Sequence, residues 1–397
     1  MEHPYYISWT KQKNASTFDI TKVEGVKVHS LKNGSPHELY DMTSISYQAH
    51  FGHNHPVIIN EIKKQLDSIP MSSPKGIYPT KDETTKELLA YMNKESGKIF
   101  YTTGGAETIE NALKIARQIT KKKIVLARSN SYHGATLGAL AVTGDWRNPP
   151  HLIPGDWVKR IPEPHEDPDL KITEEIIKNI GAQNIAAVII ETITGGNGVI
   201  IPTKEWWKKL GEICKQNNIL LIMDEVVCGF KRTGKSFGYM HFEVEPDMIC
   251  LAKGISGGMI PFGALWTSKK ISDYYDDEIL VCGLTNYAHP LGMAALRGVL
   301  KIVNDNQFEN NRLEVANTFN KLVHNLKKLS IVKDVRVIGH LAAVDLHQSV
   351  EWKEFFNEGL YLVSQKNRII LAPPLIMTNQ EMEEAMIKVS NVLSKFS

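Results

Sequence analysis

Six short apolar runs, at 98–102, 124–127, 185–190, 219–223, 248–252 and 263–267, are separated by stretches long enough to hold helices. Strands that are hydrophobic on both sides must be covered on both sides, so this pattern predicts an α/β fold with a mostly parallel sheet between helical layers. Between the first two runs, Ile109, Ala112, Leu113, Ala116 and Ile119 share one helical face, and that helix starts directly after Gly104-Gly105. Ahead of the sheet, Val26–Ser30 and Glu38–Tyr40 alternate around the turn signal Asn33-Gly34, which predicts a hairpin in a small N-terminal flap. Beyond about residue 290 the pattern turns to amphipathic helices at 291–303 and 313–329, a β stretch at 335–346 and a last helix near 380–393. These predict a separate C-terminal α+β lobe.

Composition narrows the function classes. The chain has 397 residues, enough for two domains or one large one, and its 42% apolar and 23% charged residues exclude disorder as a working state. Lys plus Arg number 46 against 44 Asp plus Glu, so no charge surplus draws the protein to nucleic acid or a membrane surface. Cys214, Cys228, Cys250 and Cys282 show no metal or disulfide spacing, which points to a reducing compartment and no metal site. Met1 to Thr10 lacks a leader pattern and no apolar stretch approaches 18 residues, so a cytoplasmic protein is expected.

The chemistry should sit beyond the carboxyl ends of the strands, where open α/β sheets bind ligands. The first strand runs into Thr103-Gly-Gly-Ala-Glu107, whose glycines open a helix N-terminus suited to an anion, or equally ease a plain strand-to-helix turn. Tyr132-His133-Gly134 follows the second strand and offers either a ring to lie on a planar ligand or a partly buried aromatic beside a satisfied histidine. Glu191 and Asp224 end two further runs, and a carboxylate there needs a cationic or hydrogen-bonding partner. Lys253 follows the fifth run and is flanked by Gly254, Gly257 and Gly258; a lysine lodged in such a place has a lowered pKa and becomes a nucleophile. A phosphate cradle, a stacking aromatic, an aspartate for a pyridine nitrogen and a buried lysine are what pyridoxal 5'-phosphate requires.

The order of these pieces resembles the class III aminotransferases, which belong to fold type I of the pyridoxal-phosphate enzymes. The resemblance runs from about Gly25 to Met377. It rests on Phe51-Gly-His-Asn-His-Pro56, Thr103–Glu107, Tyr132–Gly134, Asp224–Gly234, Pro246-Asp247 to Lys253-Gly254, Pro261–Ala264, Thr285 to His289-Pro290 and Ala372–Leu375. It implies a seven-stranded type of sheet with a smaller α+β domain made from both chain ends, divided at 1–52, 53–292 and 293–397. It implies, too, that Lys253 is the Schiff-base lysine and proton carrier, that Asp224 keeps the pyridine nitrogen protonated, and that Val226 and Tyr132 cover the two ring faces. Gly105 and Ala106 would offer backbone N–H groups to the phosphate, with His133 and Glu191 close to the cofactor. Thr285 resembles a threonine that reaches the neighbouring subunit's phosphate, making a homodimer with shared active sites.

Departures from the family bear on the substrate. Gly196 stands where glutamate- and ornithine-type branches carry a glutamate, as in ω-amine:pyruvate branches. The carboxylate-binding arginine of those branches would fall at Val363 or Ser364, leaving Arg368 nearby but out of register. Trp9-Thr-Lys-Gln12 and Thr143-Gly-Asp-Trp-Arg147 look similar to the taurine:pyruvate-like subgroup, and place Trp9, Arg147 and Tyr47 among the substrate-binding candidates. Lys231 replaces the family's usual glycine and is expected to alter the pocket rim. The reading is a transaminase for primary amines and an oxo acid such as pyruvate. An aminomutase, epimerase or decarboxylase on the same fold is the alternative, and a non-catalytic α/β binding module is the reading that Lys253 argues against.

Overall fold

The computed structural model describes residues 3–153 and 156–397; Met1 and Glu2, part of the stretch read for a leader, lie outside them. Its centre is a seven-stranded sheet of β1 (Lys98–Thr102), β2 (Ile124–Arg128), β3 (Val158–Ile161), β4 (Ile185–Glu191), β5 (Leu220–Asp224), β6 (Met248–Leu251) and β7 (Gly263–Thr267). The order across the sheet is β1-β7-β6-β5-β4-β2-β3, and only β7 runs antiparallel to its neighbours. Side chains alternate between two cores: Val188, Ile190, Leu221 and Met223 enter one, while Ala187, Ile189, Leu220 and Ile222 enter the other. This two-sided burial is why the strands read as nearly unbroken apolar runs. The run that the pattern does not reveal is β3, an edge strand in which only Ile161 is fully buried.

Helix α1 (Gly105–Thr120) begins where the pattern places it, and Ile109, Ala112, Leu113 and Ala116 pack on the second core. Helix α2 (Pro290–Val303) inserts Met293, Leu296, Val299 and Leu300 into the first core. The expected division at 292/293 therefore falls inside a helix that packs with the large sheet. From α3 (Asn306–Asn325) onward the chain builds a second core. Val26, Tyr40 and Met42 from the N-terminal hairpin join Val315, Phe319, Ile369 and Val389 there, so both chain ends make one lobe. Backbone pairing ties them as well, since Leu360 and Tyr361 lie parallel to Tyr40 and Asp41. No helix among the described residues is long and apolar enough to cross a membrane.

Two backbone features hold the lobes to one another. Gly339 turns the hairpin Val332–Ile338/Leu341–Leu346 at φ +57°, and a Cβ there would come within 2.5–2.7 Å of backbone atoms of Arg232, Thr233 and Gly234. His340 N donates to Arg232 O at 2.9 Å beside it. The other feature is the run Ser44, Ile45, Ser46, Tyr47, with φ of 49°, 39°, 60° and 65°, four left-handed residues none of which is glycine. Each costs about 1–2 kcal/mol over the right-handed conformation, so the surroundings must hold the run in place. Asp41 does so with Oδ1 accepting from Thr43 N and Oδ2 from Ile45 N, while Ser44 Oγ donates to Ala372 O at 2.6 Å and accepts from Arg232 Nη2 at 2.9 Å.

Gly339→Ala is expected to destabilise the protein by on the order of 2 kcal/mol, because the methyl meets backbone that cannot rotate away. Urea unfolding of the variant beside the wild type measures it.

Candidate active site

The parallel register of β4 and β5 puts Glu191 directly beside Asp224, each the last residue of its strand. Both are buried, and both are paid for with donors. Asp224 Oδ1 accepts from Val226 N at 2.9 Å, and Oδ2 lies 2.8 Å from His133 Nδ1. Glu191 Oε1 accepts from Tyr132 N at 3.1 Å and Oε2 from Gly195 N at 2.9 Å. Burial raises the Glu191 pKa above the ordinary carboxylate value, with Asp224 adding to the rise and His133 opposing it.

These groups line a cavity of about 310 Å³ at the carboxyl ends of the strands, together with Gly105, Ala106, Tyr132, Val226 and Lys253. Gly104 has no side chain to cap α1, which leaves the N–H groups of Gly105 and Ala106 open to the cavity. A Cβ at 105 would come 3.2 Å from both methyl carbons of Val226, so any larger residue there would push the Val226 side chain aside by a few tenths of an ångström. Sequence reasoning missed Gln48, Ser256 and Phe262, which line the same cavity. Phe262 belongs to the Pro261–Ala264 motif, which gave it no role, and no motif signals Gln48 or Ser256.

Lys253 is not on the strand. β6 stops at Leu251, and Lys253 opens a 3-10 turn, Lys253–Ser256, with φ +51°. Its pKa is lowered by burial, against the pull of Asp224 and Glu191. The ammonium sits 5.0 Å from the centre of the Tyr47 ring, which the left-handed run presents to it. Burial pushes the Tyr47 hydroxyl up, with Glu191 contributing. Arg147 stacks over Tyr132 at 4.5 Å, Trp146 at 5.0 Å and Trp9 at 5.1 Å, and its head pairs with Asp145. Thr285 is exposed and does not line its own chain's cavity. Lys231 corrects the expected change to the pocket rim. It takes the left-handed conformation (φ +71°) and reaches 3.3 Å to Glu309 on α3, away from the cavity. Arg368 is engaged by Asp345 and donates to Asn197 O at 3.1 Å.

A sequence profile of the family described as Aminotransferase class-III matches residues 8–393. The chain is a class III aminotransferase. It is 32% identical to an omega-aminotransferase of Caulobacter vibrioides over 90% of both chains. It is also 32% identical to an acetylornithine aminotransferase of Clostridium acetobutylicum, over 93% of this chain and 94% of that one. A taurine:2-oxoglutarate aminotransferase from Bifidobacterium kashiwanohense, solved with PLP and glutamate, superposes with a TM-score of 0.92 at 29% identity, covering 98% of this chain and 95% of the other. The enzyme transfers amino groups with pyridoxal phosphate as cofactor, on the fold type I scaffold. These relatives do not favour a mutase, epimerase or decarboxylase. The uncapped helix end, the glycine at 105 and the buried Asp224 suit the phosphate, the close approach and the pyridine nitrogen of that group.

One more acid in this aminotransferase follows Asp224 directly. Glu225 is buried and accepts from Thr192 Oγ1, Gly238 N and Tyr239 N, each at 2.7 Å. Burial nevertheless pushes it up to about 7. The folded chain then holds a proton that an unfolded chain releases near pH 4.5. That contribution to stability is complete below the unfolded value and is lost as pH rises to about 7. Unfolding midpoints of the cofactor-free protein at about pH 4.5 and about pH 7.5, which bracket the window, should fall with pH in the wild type and change less in Glu225→Gln.

Proposed function

We propose that the amino donor is a small primary amine with an anionic far end, such as taurine or β-alanine, rather than an obligatory α-amino acid, and that pyruvate or a similar oxo acid is the acceptor. The observation that carries this reading is Arg147, whose guanidinium lies over the cavity-lining Tyr132 and whose buried Nε has no hydrogen-bond partner. Trp9 and Trp146 complete an apolar collar, so an arriving carboxylate or sulfonate would meet a partly desolvated cation. Tyr47, its ring centre 5.0 Å from Lys253 Nζ, would border the donor's carbon chain. Arg147 shares its charge with Asp145, as Arg368 does with Asp345, and it is Arg147 that lies against a residue lining the cavity.

The bound cofactor supplies an electron sink that stabilises negative charge on the donor carbon. The chain supplies the rest. Gly105 and Ala106 would hold the phosphate with backbone N–H groups at the start of α1. Asp224, steadied by His133 and Val226 N, would receive the pyridine N–H. Val226 and Tyr132 would cover the ring, and Glu191 holds Tyr132 in place through its backbone N–H. Lys253 Nζ would hold the cofactor and would carry a proton from the donor carbon to the cofactor in one half-reaction and from the cofactor to the acceptor carbon in the other. Its lowered pKa enlarges the unprotonated fraction of the amine that this needs.

Assembly as a homodimer is supported by the exposed stretch that holds Ile279, Val281 and Thr285. In it Gly283 lines a hollow of about 580 Å³ shared with Gly104 and Ala106. Thr285 would there complete the phosphate cradle of the neighbouring subunit. Four unpaired cysteines support the cytoplasm as its place. We keep the division into a cofactor-binding unit and one small lobe from both ends, with α2 going with the large unit.

Lys253→Ala should abolish the covalent cofactor absorbance and transamination; persistence of either overturns the assignment. In a donor screen against pyruvate and 2-oxoglutarate, Arg147→Ala should raise KM about tenfold or more for taurine and β-alanine but leave uncharged amines little changed. An equal loss for both classes removes the anion-binding role. Thr285→Ala should lose cofactor faster on dialysis with an unaltered melting temperature.

A further inference from the structure

The backbone of Lys253 is in the left-handed region, and Gly254 follows it with no room for a side chain. A Cβ at Gly254 would lie 2.5 Å from His50 Nδ1 and 2.6 Å from His50 Cε1. His50 is fully buried and sits 3.3 Å by Nδ1 from Phe230 O, on a residue that is itself left-handed at φ +54°. Its other ring nitrogen makes no hydrogen bond of good geometry, and has at most a weak contact with the Tyr47 backbone. Such a ring is costly to bury for packing alone, since an apolar side chain would fill the space without an unpaired nitrogen.

His50 comes three residues after Tyr47. One short segment thus touches the lysine from two directions: the Tyr47 ring faces Nζ, and the His50 ring backs the peptide that follows. The segment is held at its start by Asp41 and Arg232, and beyond His50 by His53 Nε2, 3.1 Å from Asp41 Oδ2, and by Leu375 N donating to His50 O at 2.7 Å.

We propose that His50 is a positioning residue for Lys253: its ring, lodged against the Gly254 α-carbon and anchored on Phe230 O, holds the lysine backbone left-handed so that Nζ stays in the cavity. The inference rests on the assignment of Lys253 as the cofactor lysine. Burial keeps His50 uncharged, with Arg232 and Lys253 reinforcing this, so it acts by shape and not by charge.

The test uses the full-length protein with His50→Ala, Gly254→Ala and the double variant, and needs no amine donor. Two quantities are read: the rate at which pyridoxal phosphate becomes trapped on Lys253 by borohydride, and the titration of the Lys253 amine in cofactor-free protein by competitive acetylation. Gly254→Ala should slow trapping by about tenfold or more, and adding His50→Ala should restore a clear part of it, because the ring that the methyl strikes is gone. His50→Ala alone should move the Lys253 titration toward that of a free lysine, since water enters the vacated space. The groups facing the amine, Asp224, Glu191, Cys228 and Arg147, are unchanged in every variant. A double variant no faster than Gly254→Ala, or a His50→Ala protein with wild-type titration and trapping, overturns the proposal. If His50→Ala does not fold, His50→Asn, which keeps a donor for Phe230 O but not the ring face, is read against the same two outcomes. Covalent trapping that survives Lys253→Ala would instead refute the assignment on which the inference rests.

Discussion

Two carboxylates buried side by side at the ends of neighbouring parallel strands set the terms for the rest of the site. Desolvating Asp224 and Glu191 together would be prohibitive without compensation, and the strands themselves can offer none, because their N–H groups are spent on the sheet. Compensation comes from segments that leave the sheet: Tyr132 and His133 after β2, Val226 after β5, and the Gly195 loop after β4. Each such segment is thereby fixed in space and presents a neighbouring side chain or backbone group to the cavity. Asp224 and Glu191 are first of all the acids that fix the loops around the cavity.

Strain is the second organising element, and it is distributed around the lysine. Left-handed residues occur at Ser44–Tyr47, at Phe230 and Lys231, and at Lys253. None of these is glycine, so the energy needed to keep them comes from contacts between the two lobes: Arg232 reaches Ser44, His340 O and Pro373 O, and Lys231 reaches Glu309. Loosening the small lobe would let several of these residues relax at once. Catalytic geometry and lobe docking therefore share one set of interactions.

Much of the fold was legible in the sequence because burial on both faces writes itself as apolar runs. The edge strand β3 was not, since its residues are half exposed. The site was legible as a set of strand-tip motifs, and Lys253, Asp224, Glu191, Tyr132, Gly105, Ala106 and Val226 do meet in one cavity. What could not be read was pairing across long separations, as between His133 and Asp224, 91 residues apart. The left-handed run was equally hidden, because no glycine marks it. At Lys231 the clue ran the other way: a glycine usual at that position signals a backbone conformation, and the lysine keeps the conformation while directing its side chain elsewhere.

The pairing of Tyr40 with Leu360 closes the chain on itself across about 320 residues. During synthesis, at a ribosomal pace of roughly 10 residues per second, the N-terminal strands wait on the order of half a minute for their partner. The small lobe cannot close until translation is nearly finished. A chain that ended before Leu360 would have neither the strand that pairs with Tyr40 nor Ile369 and Val389, which pack with Val26, Tyr40 and Met42.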